Sequence, residues 1–357
     1  MTREYADPPI IDPTQDAATR RAAGKARRGE VSREDVLRGG VDSQLNVLLA
    51  GPSAHVVPVA ESADVLLDLI DVDDMLPGPF EVDLCAALAV LAPTTPKRKR
   101  GVIAHSLGFG YAEAIEVAAR AHAHDRLQLA RHWSARLARR LVKSDICDTP
   151  WSAQGGVAAL VHSSGSRLRR GRVRHLLSGR SDESTVSEPP ASWEAEWRQY
   201  RETLTEAEQD LLRWYSPIEV LGVDDDLIVL ARGSQADDLL VLHARATHPS
   251  PLESEWGVWR QGSDVQRVLV ARSRVPLEPE EFLGWSTSPD GLVGRAWGRL
   301  RLGRMRGSIS TSAQRDRARD HGRILGLSHA RTGDVHALRG YVGNPASFAK
   351  ALTRATG

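Results

Sequence analysis

The sequence predicts an α+β fold, in which strands and helices form separate blocks along the chain. Short apolar runs bounded by Gly, Pro or acidic turns fall at 45–70 and again at 218–243. Longer stretches with helix-like apolar spacing fill 101–142, 194–214 and 314–327. Because strands and helices do not alternate one by one, antiparallel sheets beside helices are favoured over repeated βαβ units.

The first 30 residues are polar, with mixed charge and several Ala, Pro and Arg, and they predict a flexible, loosely ordered arm. Ser32 followed by Asp35 predicts the cap of a short helix after this arm. The arm lacks the apolar stretch of a signal peptide, and no segment approaches the roughly 20 apolar residues that span a bilayer. We therefore expect a cytoplasmic protein with no membrane association.

The elements between residues 45 and 91 follow from short apolar runs and the turn residues between them. The runs 45–49 and 56–59, separated by a Gly-Pro pair, are predicted to pair with each other as strands. The run 65–70 predicts a third strand, and the Leu-Pro-Gly-Pro stretch at 76–79 predicts a turn. Residues 82–91 have helical composition.

The rest of the chain carries helix and strand patterns around one linker-like segment. Residues 101–142 are rich in Ala, Leu and Arg and predict two helices, whereas 163–192 are rich in Ser, Arg and Pro, which is typical of a linker. Further helices are predicted at 194–214, 265–274 and 314–327, and strands at 218–223, 227–231, 239–243 and 292–302. The predicted organisation is an arm (1–30), a strand and helix lobe with an acidic motif (31–162), a linker (163–192), and a strand-rich lobe with C-terminal helices (193–357).

Composition and charge give no direct pointer to a function. Hydrophobic residues make up 41% of the chain and charged residues 26%, as in an ordinary globular protein. The formal net charge of +1 favours no polyanionic partner. Cys85 and Cys147 have no zinc-like spacing, so we expect two reduced thiols rather than a metal site.

A cluster of carboxylates follows the third predicted strand. Asp68, Asp71 and Asp73 alternate along a segment predicted to be extended, so the three side chains are expected to share one face. Carboxylates grouped in this way repel one another unless a cation or an Arg lies among them. The pattern fits a cation or phosphate site, and it also fits an exposed acidic turn.

Segments around this cluster and near the C-terminus carry a family resemblance. Residues 67–84, LDLIDVDDMLPGPFEVDL, resemble the signature FDLNDFDETLPGPWEWDL of the bacterial domain-of-unknown-function 2252 family. Residues 325–334, LGLSHARTGD, are similar to the LARAHARSGD motif of that family. Shorter matches keep the order of the family at 266–268, 282–285, 305–308 and 340–343. The resemblance covers most of the chain from about residue 36 onward.

The motifs of that family are in turn similar to the active site of aminoglycoside-phosphotransferase-like kinases. The resemblance therefore implies a protein-kinase-like fold in which the order of the lobes is permuted, with Mg²⁺ and ATP as cofactors. In such sites one Asp acts as base, an Asn and a later Asp hold Mg²⁺, and a Lys pairs with phosphate. On this implication Asp71 is the best candidate metal ligand, followed by Asp73 and Asp68.

The catalytic loop of the family, GDxHLxNFG, is not intact in this chain, and two alignments stay open. In the first, residues 40–46 replace the loop; Asn46 is kept as a candidate metal ligand, and Asp42 serves as base if the loop is one residue shorter. In the second, residues 51–55 replace the loop; His55 is kept, but Ser or Pro stands in place of the Asp and Pro in place of the Asn.

Other features of the family are missing as well. The Gly-rich turn is replaced by three Asp residues at 224–226, which would repel phosphates. The Lys of the family falls at Ala244, and the Glu expected to pair with it falls at Val270. Arg245 is a partial substitute, although its side chain is expected to point to the opposite face of the strand from Ala244.

Polar residues in two further segments have competing interpretations. His329, Arg331 and Asp334 lie at the end of a predicted helix, where they fit a substrate or anion contact and also fit a buried polar network. The basic run at 167–175 fits a nucleic-acid site, but it has no interleaved aromatics and lies in a predicted linker, so a solvated face is favoured.

The sequence thus favours a kinase-like protein with degraded catalytic machinery that acts as a binding or regulatory protein. Two alternatives stay open: an atypical Mg²⁺-dependent phosphotransferase, and a module that binds anions or nucleic acid. A protein partner is expected under the leading interpretation, and nucleic acid is disfavoured.

Overall fold

A computed structural model of the protein describes residues 14–39, 41–60, 65–91, 95–143, 160–162, 165, 167–177, 185–259, 261–301 and 311–356. Within these ranges a helical unit, a six-stranded antiparallel sheet and two short strand pairs form an α+β architecture. Helices and antiparallel strands occupy separate blocks, as the sequence predicts. Among the described residues, no helix is long and apolar enough to cross a membrane.

The elements have the following bounds in chain order. The helices are α1 (Ala17–Glu30), α2 (Arg33–Leu37), α3 (Glu81–Leu91), α4 (Arg100–Ala118), α5 (Asp125–Lys143), α6 (Arg170–Leu177), α7 (Trp193–Thr203), α8 (Glu206–Leu212), α9 (Glu253–Trp256), α10 (Asp264–Arg274), α11 (Thr311–Thr332), α12 (Val335–Val342) and α13 (Pro345–Thr356). The strands are β1 (Asn46–Leu48), β2 (His55–Ala60), β3 (Val65–Ile70), β4 (Pro77–Pro79), β5 (Val186–Ser187), β6 (Ser216–Val223), β7 (Asp226–Arg232), β8 (Leu239–Ala246), β9 (Gly284–Thr287) and β10 (Gly294–Arg299).

The helical unit is built around α4, which packs against α11 and α13. This helix buries residues around most of its circumference, as expected of a helix surrounded by others. Glycines permit the close crossing with α11, because a Cβ at Gly110 would lie 2.0 Å from the carbonyl oxygen of Arg319. A Cβ at Gly322 would lie 2.1 Å from the carbonyl oxygen of Leu107.

Helix α1 packs against α12 near the C-terminus of the chain. A Cβ at Gly24 would lie 1.9 Å from the carbonyl oxygen of Ala337, so the two backbones are in direct contact. The prediction of a loosely ordered arm is therefore wrong for Ala17–Glu30, and residues 1–13 lie outside the described residues. The predicted cap that follows is confirmed, because the Ser32 hydroxyl accepts from the amide of Asp35 at the start of α2.

The first four strands pair differently from the prediction. β1 pairs with β4, and β2 pairs with β3, both antiparallel. The prediction that 45–49 pairs with 56–59 is wrong, because residues 49–54 form a loop whose amides bind side chains instead of a hairpin turn. The Leu-Pro-Gly-Pro stretch predicted as a turn contributes the strand β4.

The large sheet has the strand order β5-β6-β7-β8-β10-β9. Side chains of β8 alternate between its faces. Leu242 and Ala244 pack with Tyr200 of α7 and Trp297 of β10 in one apolar cluster, and the indole of Trp297 stacks on Tyr200 at 4.6 Å between ring centroids. His243 and Arg245 face the opposite side, where β3 ends and α10 lies.

Two predicted segment boundaries change in the structure. Residues 170–177 and 186–187 of the predicted linker form α6 and β5, and β5 pairs with the edge of the large sheet. The C-terminal helices α11 to α13 pack on α4 rather than on the sheet that precedes them in the chain. The helical unit therefore combines segments from both ends of the sequence, and the sheet is formed by the middle of the chain.

Candidate functional site

The acidic motif begins where β3 ends, and its backbone does not stay extended. Asp71 has a positive φ of 57°, and Val72–Asp74 form a single 3-10 turn. The three predicted carboxylates do not share a face, because Asp68 lies three residues before Asp71 and side chains three apart in a strand point to opposite faces. Asp71 and Asp73 meet at one point, whereas Asp68 points into a different environment.

Asp68 is completely buried and fully occupied by protein donors. Its Oδ1 accepts from the amides of Leu69 (2.8 Å) and Leu277 (2.6 Å). Its Oδ2 accepts from the amide of Glu278 (3.1 Å) and from Arg301 (2.8 Å). A carboxylate offers about four acceptor positions. Asp68 thus ties the end of β3 to the segment after α10, and no acceptor position is left for a metal.

Asp71 and Asp73 are joined by arginines rather than left open. The Arg245 guanidinium of β8 contacts Asp71 Oδ1 at 2.7 Å and Asp73 Oδ2 at 2.8 Å. Arg272 of α10 binds Asp73 in a bidentate manner, at 2.9 Å to Oδ1 and 3.0 Å to Oδ2. Arg267, also on α10, donates to the backbone carbonyl of Asp73. We call Asp71, Asp73, Arg245 and Arg272 the Asp–Arg network.

The electrostatics of this network fix all four groups in their charged forms. Burial by itself raises the pKa of Asp73, but Arg272 and Arg245 outweigh burial and hold that pKa far below its usual range. The pKa of Asp71 is also lowered, because Arg245 and His55 more than compensate for burial. Burial lowers the pKa of Arg245, yet Asp73 and Asp71 raise it well above its ordinary value. Charge in the cleft is therefore balanced internally.

The loop beside the acidic motif is residues 49–54, between β1 and β2. The amide of Ser53 donates to Asp74 Oδ2 at 3.2 Å. His55 follows the loop, and its Nδ1 lies 3.6 Å from Asp71 Oδ2. The second of the two predicted alignments is therefore the one that has the geometry of a loop facing the motif.

The residues of the first alignment lie elsewhere. Asn46 is on β1 opposite Pro79, and its buried Oδ1 has no hydrogen-bond partner among the described residues. Asp42 accepts from the amide of Gln44 at 3.1 Å, in the segment that precedes β1. In the part of the chain that the structure describes, no group of three His, Cys, Asp or Glu side chains is placed to hold a metal ion.

The loop 49–54 is held in place by a buried hydrogen-bonded network of Asp83, His329 and Tyr111. Asp83 of α3 accepts from the amides of Ala50 (2.6 Å) and Gly51 (3.2 Å). Nε2 of His329 lies 3.0 Å from the same carboxylate, and Nδ1 of His329 lies 3.0 Å from the hydroxyl of Tyr111. All three side chains are buried, so His329 is part of an internal network that positions the loop.

Arg331 and Asp334, the other two candidate residues of the 325–334 motif, also make hydrogen bonds within the protein. Arg331 donates to the carbonyls of Pro276 (2.6 Å) and Leu277 (3.1 Å), which fixes the segment after α10. Asp334 caps α12, because its Oδ1 accepts from the amides of His336 and Ala337. These contacts correspond to the structural interpretation of the motif.

Residues of the acidic turn at 224–226 and of the basic run at 167–175 also contact other groups of the protein. Asp226 lies 2.8 Å from Nε2 of His243 and accepts from the amide of Ala246 at 2.8 Å. In the basic run, Arg169 donates to the carbonyl of Val161 at 2.9 Å. Arg170 pairs with Glu188 at 2.8 Å on the surface. Two arginines of the run, Arg169 and Arg170, thus make local contacts within the protein.

Sequence reasoning missed Arg272 and Asp83. Arg272 lies one turn after Val268 on a helix that buries Arg267 together with three apolar residues, and only its burial reveals its role. Asp83 falls inside the 67–84 motif, so that motif was the available signal. Arg245 was named as a partial substitute, and the opposite face predicted for its side chain proves to be the face that carries the acidic motif.

Fold and site together define an α+β protein with a buried Asp–Arg network between a large antiparallel sheet and a helical unit. A family model of uncharacterised proteins conserved in bacteria, domain of unknown function 2252, matches residues 59–356. The chain belongs to this family. Neither the curated proteins nor the solved structures give a match to it.

Proposed function

We propose that this chain is a kinase-like protein that has lost phosphoryl transfer and acts as a binding or regulatory protein. The order of elements around the cleft supports the kinase-like part of the proposal. A hairpin (β6 and β7), a third strand (β8) and then a helix (α10) mirror the Gly-rich loop, Lys strand and Glu-bearing helix of kinases. On this proposal the loop 49–54 would correspond to the catalytic loop of a kinase, and the motif at Asp71 would correspond to its metal-binding Asp.

The single observation that carries the loss of activity is the Asp–Arg network. A kinase needs a carboxylate with free oxygens, because Mg²⁺ requires near-octahedral oxygen coordination. Here Arg245 and Arg272 contact the carboxylate oxygens of Asp71 and Asp73 at 2.7–3.0 Å. The two guanidiniums supply the positive charge that a metal would supply, and displacing them would leave charged groups buried without partners.

The neighbouring elements lack the remaining parts of a phosphoryl-transfer site. Residues 49–54 read Leu-Ala-Gly-Pro-Ser-Ala and contain no carboxylate to act as base. The turn at 224–226, which would correspond on this proposal to the phosphate-binding turn of a kinase, carries three carboxylates that would repel phosphates. A kinase-like fold that lacks the groups for phosphoryl transfer is suited to binding. We propose that its ligand is a protein partner.

The test is calorimetric titration with ATP, in the presence and absence of Mg²⁺, on the wild type and on Asp71→Asn. The matched control is Asp210→Asn, an exposed carboxylate of α8. We expect that Mg²⁺ does not strengthen nucleotide binding and that Asp71→Asn behaves as the wild type. Binding that requires Mg²⁺, is kept in Asp210→Asn and is lost in Asp71→Asn would refute the proposal.

One observation favours the alternative of an atypical Mg²⁺-dependent phosphotransferase. The side chain of Asp71 is 26% exposed, so it remains partly accessible to solvent. Transfer of labelled γ-phosphate to any acceptor that disappears in Asp71→Asn would establish this alternative. Absence of nucleotide turnover in both the wild type and Arg245→Met would reject it, since the second variant frees the carboxylate of Asp71 from its guanidinium partner.

A further inference from the structure

A groove on the helical unit, far in sequence from the acidic motif, concentrates positive charge. It is formed by α1, the start of α2, the end of α4 with the residues just after it, α12 and the start of α13, and its volume is about 1020 Å³. Six cationic side chains line it: Arg21, Lys25, Arg28, Arg33, Arg120 and Arg339. The only carboxylate among its described lining residues is Glu116. We call this feature the basic groove.

Glu116 forms ion pairs with two of these cations. Arg339 binds Glu116 through two nitrogens, at 2.6 and 2.7 Å. Arg120 adds contacts at 2.6 and 3.0 Å. The remaining four cations therefore have no carboxylate partner in the groove.

These four cations differ in how they are held. Arg28 and Arg33 donate only to neutral oxygens: the carbonyl of Tyr341 at 3.4 Å for Arg28, and the carbonyl of Val342 at 2.7 Å for Arg33. Arg21 and Lys25 lie one turn apart on the exposed face of α1, and neither side chain has a partner among the described residues. Arg28 and Arg33 are thus held in place by neutral oxygens, which do not neutralise their charge. Arg21 and Lys25 are available to contact a ligand.

The charge balance of the groove contrasts with that of the whole chain. The chain has a formal net charge of +1, whereas the groove sets six positive charges against one negative charge, an excess of five. Burial together with neighbouring Arg28 lowers the pKa of Arg33, as expected where like charges are crowded. A concave surface with one sign of charge focuses the field and attracts counter-ions.

The local backbone supports this arrangement. Gly343 ends α12 with φ +67°, and a Cβ there would lie 2.3 Å from a guanidinium nitrogen of Arg28. The absence of a side chain at this position therefore lets Arg28 lie against the chain. Asn344 follows and caps α13, whose positive dipole end adds to the potential of the groove.

We propose that the basic groove binds a small molecule that carries a chain of phosphates. Arginine guanidiniums match phosphate oxygens with paired hydrogen bonds. An excess of five charges calls for more than one phosphate, since a single phosphate carries about two negative charges. The volume suits a small ligand rather than an extended polymer. The site is separate from the Asp–Arg network and needs no Mg²⁺.

The probe is inorganic tripolyphosphate, titrated calorimetrically in low salt with EDTA. The test variant is Arg21→Gln with Lys25→Gln, because both side chains are exposed and make no contact that the fold needs. The matched control is Arg198→Gln with Arg201→Gln, which removes the same charge from the exposed face of α7. We expect the control to bind as the wild type does and the test variant to bind at least about tenfold more weakly, since each lost charge-assisted hydrogen bond costs about a factor of ten.

Two further titrations, with ATP and with AMP, test whether the ligand must carry more than one phosphate. ATP should compete with tripolyphosphate, and AMP should bind much more weakly, because it offers one phosphate. Equal affinity for AMP, an equal loss in both double variants, or no heat at millimolar tripolyphosphate would each overturn the proposal. Binding in the groove should be unchanged in Asp71→Asn, so its failure is distinguishable from failure of the proposed function.

Discussion

The Asp–Arg network predicts a large and specific loss of stability when Arg245 is replaced by Met. The substitution keeps most of the apolar stem but removes the charge that neutralises Asp71 and half of the charge beside Asp73. Asp73 keeps its bidentate contact with Arg272, so the group left without a strong partner is Asp71, which is 26% exposed. Breaking a buried ion pair costs about 3–5 kcal/mol, and the partial exposure of Asp71 places this case near the lower end, about 3 kcal/mol.

The assay is guanidinium unfolding at pH 7, with Arg213→Met as the control. Arg213 pairs with Asp210 on the surface, where both side chains are about two-thirds exposed, and little change is expected. The double variant Arg245→Met with Asp71→Asn should recover part of the loss, because it removes the unpaired charge as well. A change in Arg245→Met no larger than in the control would refute the reasoning.

The same variant carries a pH signature with a defined sign. The pKa of Asp71 is depressed in the folded protein, so its ion pair contributes stability above the unfolded pKa of about 3.8 and loses it as the pH falls. In Arg245→Met the carboxylate has lost its guanidinium, and its protonation relieves the unpaired charge. The deficit relative to the wild type should therefore shrink between pH 7 and pH 4. A deficit that is constant over this range would mean that lost packing, rather than charge, is the cause.

Three further predictions concern buried polar groups. Asp68→Asn should destabilise by about 3–5 kcal/mol in chemical unfolding, because it breaks the buried ion pair between Asp68 and Arg301. Tyr111→Phe should cost about 1–2 kcal/mol by the same measurement, since it removes the hydroxyl that bonds the buried ring of His329. Burial raises the pKa of Glu81 from 4.5 to about 7 despite hydrogen bonds from Ser43. Folded Glu81 thus holds a proton that the unfolded chain releases, and stability should fall by on the order of 3 kcal/mol between pH 4.5 and 7. Glu81→Gln should flatten this pH profile, and an unchanged profile would contradict the assignment.

Local patterns in the sequence were sufficient for most helices. The segments 82–91, 101–142 and 265–274 carry helical composition, and the structure has α3, the pair α4 and α5, and α10 there. The cap at Ser32 was visible for the same reason, because a cap depends on residues only three apart. Strand pairing was not visible, since β1 and β4 are separated by other elements and their register depends on tertiary contacts.

The candidate site was only partly predictable. The position of Asp71 and Asp73 was given by the family motif, and His55 by one of the two alignments. The neutralisation of these carboxylates was not, because Arg245 and Arg272 are more than 170 residues away in the sequence. Asp68 lies three residues before Asp71, so the two-residue period of a strand separates it from the other two carboxylates, and the expectation that all three share a face overlooked this spacing.

The split of the helical unit between the two ends of the chain has a consequence for biosynthesis. Arg28 of α1 meets the carbonyl of Tyr341, 313 residues later, and α4 is completed by α11 and α13. During translation α1 and α4 leave the ribosome before α11 to α13, so they remain without these partners until the later helices have been made. The central sheet, whose strand contacts are mostly between close neighbours in sequence, is expected to form first. Helices α1 and α4 therefore gain these packing partners only after the central sheet has been made.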